Sequence, residues 1–520
     1  SGAGRIGGVQ VYLAEAARRF EQALAVDPGF GPAREALGRL CLVLSEAAHQ
    51  DNRRDEAEAW LSRHLELEPA DAWARNNLAV VLQEMGRIPE AMASFRQALD
   101  LAPDSPVVHS NLLFGLHLDP AATARDRLDA ARDYSARRPP DPDRRPGSSV
   151  LHADRPLRLG YVSADFGAHA VGAFILPLLE AHDPSQAQVI AFSNAPLEGD
   201  RLSRLQRAVA EVRFLHRLDD EAALSLLRET DLDLLVDLSG HTSGNRLPVL
   251  ARRAAPIQAM WLGYFDTTGL EAMDYVLADE RCCPPGAEAW FTETIMRLPH
   301  SFFCYTPPGH DPAPADKPPC LNQAPFTFAC FNETAKLNGS VVAVWAEILH
   351  QAQGARLLLK SKGFADEAVR GRYRDLFARE GVDPARLLLE GPSPHAEYLA
   401  AHRRADLMLD PFPYNGGTVT CDALWMGVPT LCLAGESMAG RMGLSVLHAA
   451  GLASWACGSV QEYVHKAVEA ASRPEELARL RQGQRERVLA SPLCDREGFV
   501  ADLMQAFRRM LDAKQRPSES

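Results

Sequence analysis

Nothing in the 520-residue chain reads as a membrane span, because no apolar stretch approaches the roughly 20 residues a bilayer crossing needs. The opening residues lack the charged, apolar, small-residue order of a signal peptide, so a cytoplasmic protein is expected. Basic charge is scarce: 55 Lys and Arg stand against 68 Asp and Glu, a formal net charge of -13. A chain of that sign cannot neutralise phosphates in bulk, which excludes a general binder of nucleic acid or anionic membrane, although a local basic group can still hold one diphosphate. The ten cysteines form no CxxC pair and only Cys282-Cys283 are adjacent, so reduced thiols are expected rather than a metal site or disulfide framework. Several enzyme signatures are missing as well. No GxGxxG follows the first expected strand, and there is no Walker sequence, HExxH or GxSxG, which leaves dinucleotide oxidoreductase, kinase, zinc-protease and serine-hydrolase readings without a motif.

What is present is ordinary globular material, 46% hydrophobic and 24% charged, in a length that calls for two to four domains. Repeats open the chain. Pro69 and Pro103 stand 34 residues apart, the tetratricopeptide period, and Pro28 and Pro69 stand 41 apart, the same unit with a seven-residue insertion near Ala47–Arg53. One unit runs Leu78-Ala79, Leu82, Ala91, Phe95, Ala98, Pro103, and the fragment before it shows Ala16, Phe20, Ala23, Pro28, with Leu37-Gly38 opening the next. Small residues let paired helices approach, large apolar ones fill the seam, and proline follows a helix it cannot continue. The array is either a scaffold for the rest of the chain or a concave surface for a polypeptide partner. Ala121–Arg138 reads as further helix, and Pro139–Ser149 as a Pro/Gly/Ser-rich boundary.

From Leu157 short β-rich runs alternate with helical segments: Leu157–Ser163, Gln188–Ser193, Glu211–Leu215, Leu232–Leu238 and Ile257–Leu262. After the Pro-rich break at Pro307–Pro319 a second series follows: Phe326–Phe331, Ala355–Lys360, Arg386–Leu389, Leu407–Asp410 and Thr430–Leu433, with Glu497–Asp512 as a closing helix. The fold class is therefore α plus α/β, helical repeats followed by two Rossmann-like lobes with a ligand cleft at the carboxyl ends of their strands. The expected domains are 8–138, 151–306 and 320–514.

Six loops at expected strand ends carry candidate chemistry. Asp410–Asp422 (DPFPYNGGTVTCD) brings two glycines, then Thr418, Thr420 and Asp422, to what should be a helix start. There glycines admit a phosphate to the backbone and the helix N-terminus supplies free N–H groups. The plainer reading is a strand–turn–helix with an N-cap threonine. Phe331–Lys336 (FNETAK) puts Lys336 where it can neutralise a diphosphate leaving group, though alone it reads as a surface lysine. Ser393, His395 and Tyr398 follow the strand Arg386–Leu389 and can stack on or hydrogen-bond a base. His169, in Asp165–Ala170 (DFGAHA), suits proton transfer or orientation of an acceptor, or else caps a helix. Ser239–Thr242 (SGHT) and Trp261–Gly269 (WLGYFDTTG) point to the same cleft.

RLGYVSADFGAH, APIQAMWLGYFDTTGLEAMDYVLAD, RLPHSFF, FNETAK with VWAEIL, and DPFPYNGGTVTCDALWMGVP resemble successive blocks of the protein O-GlcNAc transferase family, from about Tyr12 to Arg509. The resemblance implies tetratricopeptide repeats joined to a GT-B core that passes N-acetylglucosamine from UDP to protein serine or threonine hydroxyls, inverting the sugar without a metal or other cofactor; no DxD pair stands in a suitable loop. It implies that Lys336 contacts the diphosphate and that His169 lies on the sugar and acceptor side. Thr418 would bind phosphate, Asp422 the ribose, His395 and Tyr398 the nucleotide, and Leu262 and Gly263 the sugar through their backbone. Glu333, Ser393, Tyr414, Gly416, Gly417 and Val419 complete the nucleotide-sugar set, and a protein acceptor would enter along the repeat groove.

The departures from the family are specific. Tyr398 and Gly417 stand where it has histidines, Val419 where it has a threonine, and Glu333 where it has a glutamine; a carboxylate beside a diphosphate is unfavourable. The animal enzyme's long insert between the lobes is missing. LSGHT, LPHSFFCYTP and FPYNGG resemble equally the plant SPINDLY branch, which transfers fucose from GDP, so both donors remain open, with the glycine of DFGAH favouring UDP-GlcNAc. A catalytically inactive nucleotide-sensing scaffold is the reading from another class, opposed by retention of Lys336 and His169. An epimerase or lipid glycosyltransferase of GT-B type would lack the repeats.

Overall fold

The computed structural model describes residues 3–141, 155–309, 311–315 and 317–515, with the side chains of residues 3–11 and 515 outside the description. The expected boundary at Pro139–Ser149 lies mostly outside the described residues, which omit 142–154. Seven helices come first: α1 (Ala3–Val26), α2 (Gly31–Gln50), α3 (Arg54–Leu67), α4 (Ala72–Glu84), α5 (Ile88–Leu101), α6 (Pro106–Leu116) and α7 (Ala124–Ala136). Their seams hold most of the residues that the repeat pattern selects; in the first unit Ala16 and Ala23 are half-buried and Ala17 is the buried residue. Ala57, Ala79, Ala91, Phe95 and Ala98 are buried, and Leu37, Cys41 and Leu44 cluster with Ala17 and Leu67 against Phe20 and Trp60. The insertion in the 41-residue unit is helical, for α2 has 20 residues where α4 has 13, about two additional turns.

Strands and helices then alternate. β1 (Leu157–Ser163), β2 (Ala187–Ser193), β3 (Glu211–Phe214), β4 (Leu234–Asp237), β5 (Ile257–Met260), β6 (Tyr275–Asp279) and β7 (Thr294–Leu298) form a parallel sheet in the order β3-β2-β1-β4-β5-β6-β7. β8 (Thr327–Cys330), β9 (Arg356–Lys360), β10 (Leu387–Glu390), β11 (Leu407–Leu409), β12 (Thr430–Leu433) and β13 (Ala456–Cys457) make a second sheet in the order β10-β9-β8-β11-β12-β13. In the first sheet Leu159 pairs with Val189 on one side and Leu234 on the other. Both orders reverse direction after their first strand, at β1/β4 and β8/β11, the switch points where doubly wound sheets open a crevice for ligands.

All ten strands expected from the sequence are present, with ends shifted by up to two residues, and the closing helix runs Arg496–Gln515. β6, β7 and the two-residue β13 are additional. β5, β6 and β7 are joined by irregular chain with one short helical turn at Ala287–Trp290, so the strand–helix alternation that marks the others is absent there. By contacts the chain divides into two compact units, one reaching Pro120 and including Ala329–Pro394, the other comprising Ala121–Phe328 and the residues from His395 onward. Among the described residues no helix is long and apolar enough to cross a membrane.

Candidate functional site

The unit that begins at Ala121 holds most of the candidate residues. After β11, Asp410 Oδ1 accepts from Gly416 N at 2.7 Å and Asn415 Nδ2 donates to Pro411 O at 2.9 Å, closing the loop on itself before a helix begins at Thr418. A Cβ on Gly417 would lie 2.9 Å from the Phe303 ring, so a side chain here would need that ring to shift. The helix start leaves its first N–H groups without intrahelical acceptors, and the side chains of Thr418 and Val419 are half-buried beside them.

One turn further in, the buried Asp422 carboxylate accepts from Tyr305 Oη at 2.8 Å. Burial pushes its pKa up to about 6, against the opposing pull of Tyr305, His395 and Tyr398. His395 and Tyr398 stack with ring centroids 6.0 Å apart. The fold thus brings together three of the expected nucleotide residues, His395, Tyr398 and Asp422. It adds Tyr305, which lies in the LPHSFFCYTP block but carries no motif that singles it out. Tyr414 is buried edge-on to Phe265, which meets Phe303, which packs on Phe174.

Leu262 and Gly263 follow β5. Leu262 takes the left-handed φ of 77°, and a Cβ on Gly263 would lie 2.0 Å from Leu238 O, so the backbone here approaches its neighbour as only glycine permits. The rest of this loop is anchored. Asp266 is buried against Arg127 Nε at 2.9 Å with its pKa raised to about 6 by burial, and Glu293 accepts from Thr267 Oγ1 at 2.6 Å and Thr268 N at 2.7 Å. In the SGHT loop, Asp237 accepts from Gly240 N, and the buried His241 donates from Nε2 to Thr268 O at 2.9 Å. His241 is therefore part of the frame.

His169 caps the helix α8 (Ala170–Ala181), its Nδ1 accepting from Val171 N at 3.3 Å, with Asp165 Oδ2 3.7 Å from the same nitrogen. A ring whose Nδ1 accepts carries its neutral-form proton on Nε2, so the exposed edge of His169 is a donor.

In the unit that includes the repeats, Lys336 ends the short turn Thr334–Lys336 after β8 and is half-buried. Glu333 is exposed and accepts from Ser361 Oγ at 3.1 Å. Ser393, past β10, is half-buried, and its Oγ meets no hydrogen-bond partner among the described residues. Among the described residues no three His, Cys, Asp or Glu side chains come together as a metal site.

The profile of glycosyl transferase family 41 matches residues 145–306 and 320–503, and a tetratricopeptide-repeat profile matches 48–112. The probable UDP-N-acetylglucosamine--peptide N-acetylglucosaminyltransferase SPINDLY of Solanum lycopersicum is 34% identical over 79% of this chain and 45% of its own length. Its counterpart from Oryza sativa subsp. japonica is 37% identical over 69% of this chain and 39% of its own. The chain thus spans less than half the length of these curated relatives. The O-GlcNAc transferase of Thermobaculum terrenum, solved as a mutant, aligns over 99% of this chain and 98% of its own at 33% identity, with a TM-score of 0.86.

Proposed function

The chain belongs to glycosyl transferase family 41, and from that premise we propose that it moves N-acetylglucosamine from UDP-GlcNAc to serine or threonine hydroxyls of proteins. The observation that carries this reading is the glycine loop and helix start at Gly416–Thr418 with Asp422 one turn inside. Open N–H groups suit a diphosphate, and a buried carboxylate beside His395 and Tyr398 suits a ribose and its base. The name of the bacterial structural relative, which specifies O-GlcNAc, supports the choice of donor.

In the proposed reaction the acceptor oxygen bonds to the anomeric carbon from the face opposite the nucleotide while the bond to the diphosphate breaks, inverting the centre. Lys336 stabilises the charge that develops on the departing UDP, the role a cation would otherwise fill. His169 donates from Nε2 to the sugar or acceptor, because its Nδ1 already accepts from Val171. The acceptor proton then leaves to a donor phosphate oxygen or to water. Polypeptide acceptors bind along the repeats.

Lys336→Ala should lower kcat by 10²–10³, about 3–4 kcal/mol of transition-state stabilisation, as loss of one oxyanion donor does elsewhere, while UDP still binds. Near-normal turnover in that variant would remove the assignment. Titration calorimetry with UDP, UDP-GlcNAc, GDP and GDP-fucose, without and with Mg²⁺, tests the donor. Metal-independent binding of UDP and not GDP is expected. Selective binding of GDP would assign the fucose donor instead, and binding of neither would leave the scaffold reading in front.

A further inference from the structure

The turn that carries Lys336 is too short to hold itself. Its internal bonds are Lys336 N to Glu333 O and Leu337 N to Thr334 O, each 3.0 Å. The remaining frame comes from segments far away in sequence. Thr334, two residues before the lysine, donates from Oγ1 to Glu84 O at 2.5 Å, at the end of repeat helix α4. Tyr373, on the helix Glu367–Arg379, places Oη 2.8 Å from Thr334 O and 3.0 Å from Leu337 O, so its proton is shared between carbonyls on either side of the lysine.

Two glycines close the frame. Gly86, at φ 73° in the turn between α4 and α5, lies so near that a Cβ would meet Tyr373 Oη at 2.3 Å and Thr334 O at 3.2 Å. A Cβ on Gly363 would meet Thr334 Oγ1 at 2.3 Å. The repeat side is itself fixed. The Glu84 carboxylate accepts from Arg54 Nε at 2.8 Å and meets His49 Nε2 at 2.9 Å. Asp366, which caps the helix bearing Tyr373, accepts from Arg54 N at 2.6 Å.

We propose that the Glu84–Gly86 turn of the repeats, acting through Thr334 and Tyr373, positions Lys336 for the transfer step, so that the repeats govern turnover as well as acceptor capture. The proposal rests on the reading of Lys336 as the group that meets the diphosphate. Thr334, Tyr373 and Gly86 are positioning residues that act through the lysine. A displacement of the turn by a fraction of an ångström moves the ammonium relative to a leaving oxygen, and misplacement on the scale of 1 Å costs roughly 10²-fold in rate.

The test follows nucleotide release from UDP-GlcNAc in the full chain, or from GDP-fucose if calorimetry selects GDP, so that no acceptor need be known. Thr334→Val and Tyr373→Phe should each lower kcat roughly 10- to 100-fold, with donor KM, UDP affinity and melting temperature close to those of the parent. Thr334→Ser should restore the rate. Gly86→Ala should also lower kcat. Combined with Tyr373→Phe, which removes the atom the new methyl would meet, it should cost less than the product of the two single losses.

Parental kcat in Thr334→Val and Tyr373→Phe, alongside a collapse in Lys336→Ala, would overturn the positioning role and leave the lysine reading intact. Losses that follow the melting temperature, in kcat and KM alike and unrescued by Thr334→Ser, would also overturn it. Near-normal turnover in Lys336→Ala would remove the underlying reading and the proposal with it.

Discussion

Asp422 is a carboxyl in a place that resists charge. Burial lifts its pKa from 3.8 to about 6, although Tyr305, His395 and Tyr398 all favour the anion. A carboxyl raised in the fold contributes stability that is present below its unfolded pKa and is lost as pH rises through the folded one. Without ligand, then, this group weakens the fold between about pH 4 and pH 6. A ribose diol that donates to the anion acts in the opposite sense on the bound state. UDP affinity should accordingly rise with pH across about 6 and level off above it. Asp422→Asn should flatten that profile and weaken UDP by about 1.5–3 kcal/mol, the range for hydrogen bonds to a charged group. Calorimetry at pH 5 and 7.5 checks both, and an unchanged pH profile in the variant would remove Asp422 from the nucleotide site. The helix start around this residue was legible because glycine, threonine and aspartate sit within one turn. Tyr305 was not, since nothing in its neighbourhood announces a partner 117 residues away.

Among the elements, α7 shows how a helix can brace a loop it does not adjoin in sequence. A reciprocal capping box between Thr123 and Asp126 starts it. It then delivers Arg127 to Asp266, the Tyr134 ring to His241 at 4.7 Å, and a backbone surface at Ala131 against which Gly269 packs with no room for a Cβ. All three contacts fall on the chain between β4 and β6, and two of them on the loop that contains Leu262 and Gly263. Arg127→Ala leaves a buried carboxylate without its cation and should cost about 3–5 kcal/mol in urea unfolding. The cost should depend on pH. Asp266 already titrates at about 6 with Arg127 present, and without the guanidinium its pKa rises further. The variant should therefore be less destabilised at pH 5, where Asp266 is protonated in the fold, than at pH 8, where the charge is forced. An equal loss at both would mean that the pair contributes through packing alone.

At the scale of the whole molecule, a nucleotide that binds the folded protein and not the unfolded chain adds about 2.7 kcal/mol at 100 times its Kd. UDP should raise the melting temperature while GDP leaves it unchanged, and the opposite order would carry the protein to the fucose donor. The acidic surplus of -13 sets a background against which polyanions are repelled, so the cation proposed at Lys336 would matter more here than it would on a basic protein.

The amino-acid sequence by itself determined the repeats and the two parallel sheets. Both are periodic: small and large apolar residues return at spacings of 34 and, with the insertion, 41 positions, and apolar runs alternate with helical ones wherever a crossover helix exists. Where that alternation lapses, at β6 and β7, the pattern had nothing to show. Only the tertiary structure decided which atoms meet: Tyr305 with Asp422, Arg127 with Asp266 across 139 residues, and Thr334 with Glu84 across 250. The reason is physical. Each such bond joins single atoms from segments whose own residues satisfy local rules equally well without it, so it leaves no period in the chain and exists only once packing has fixed the distance.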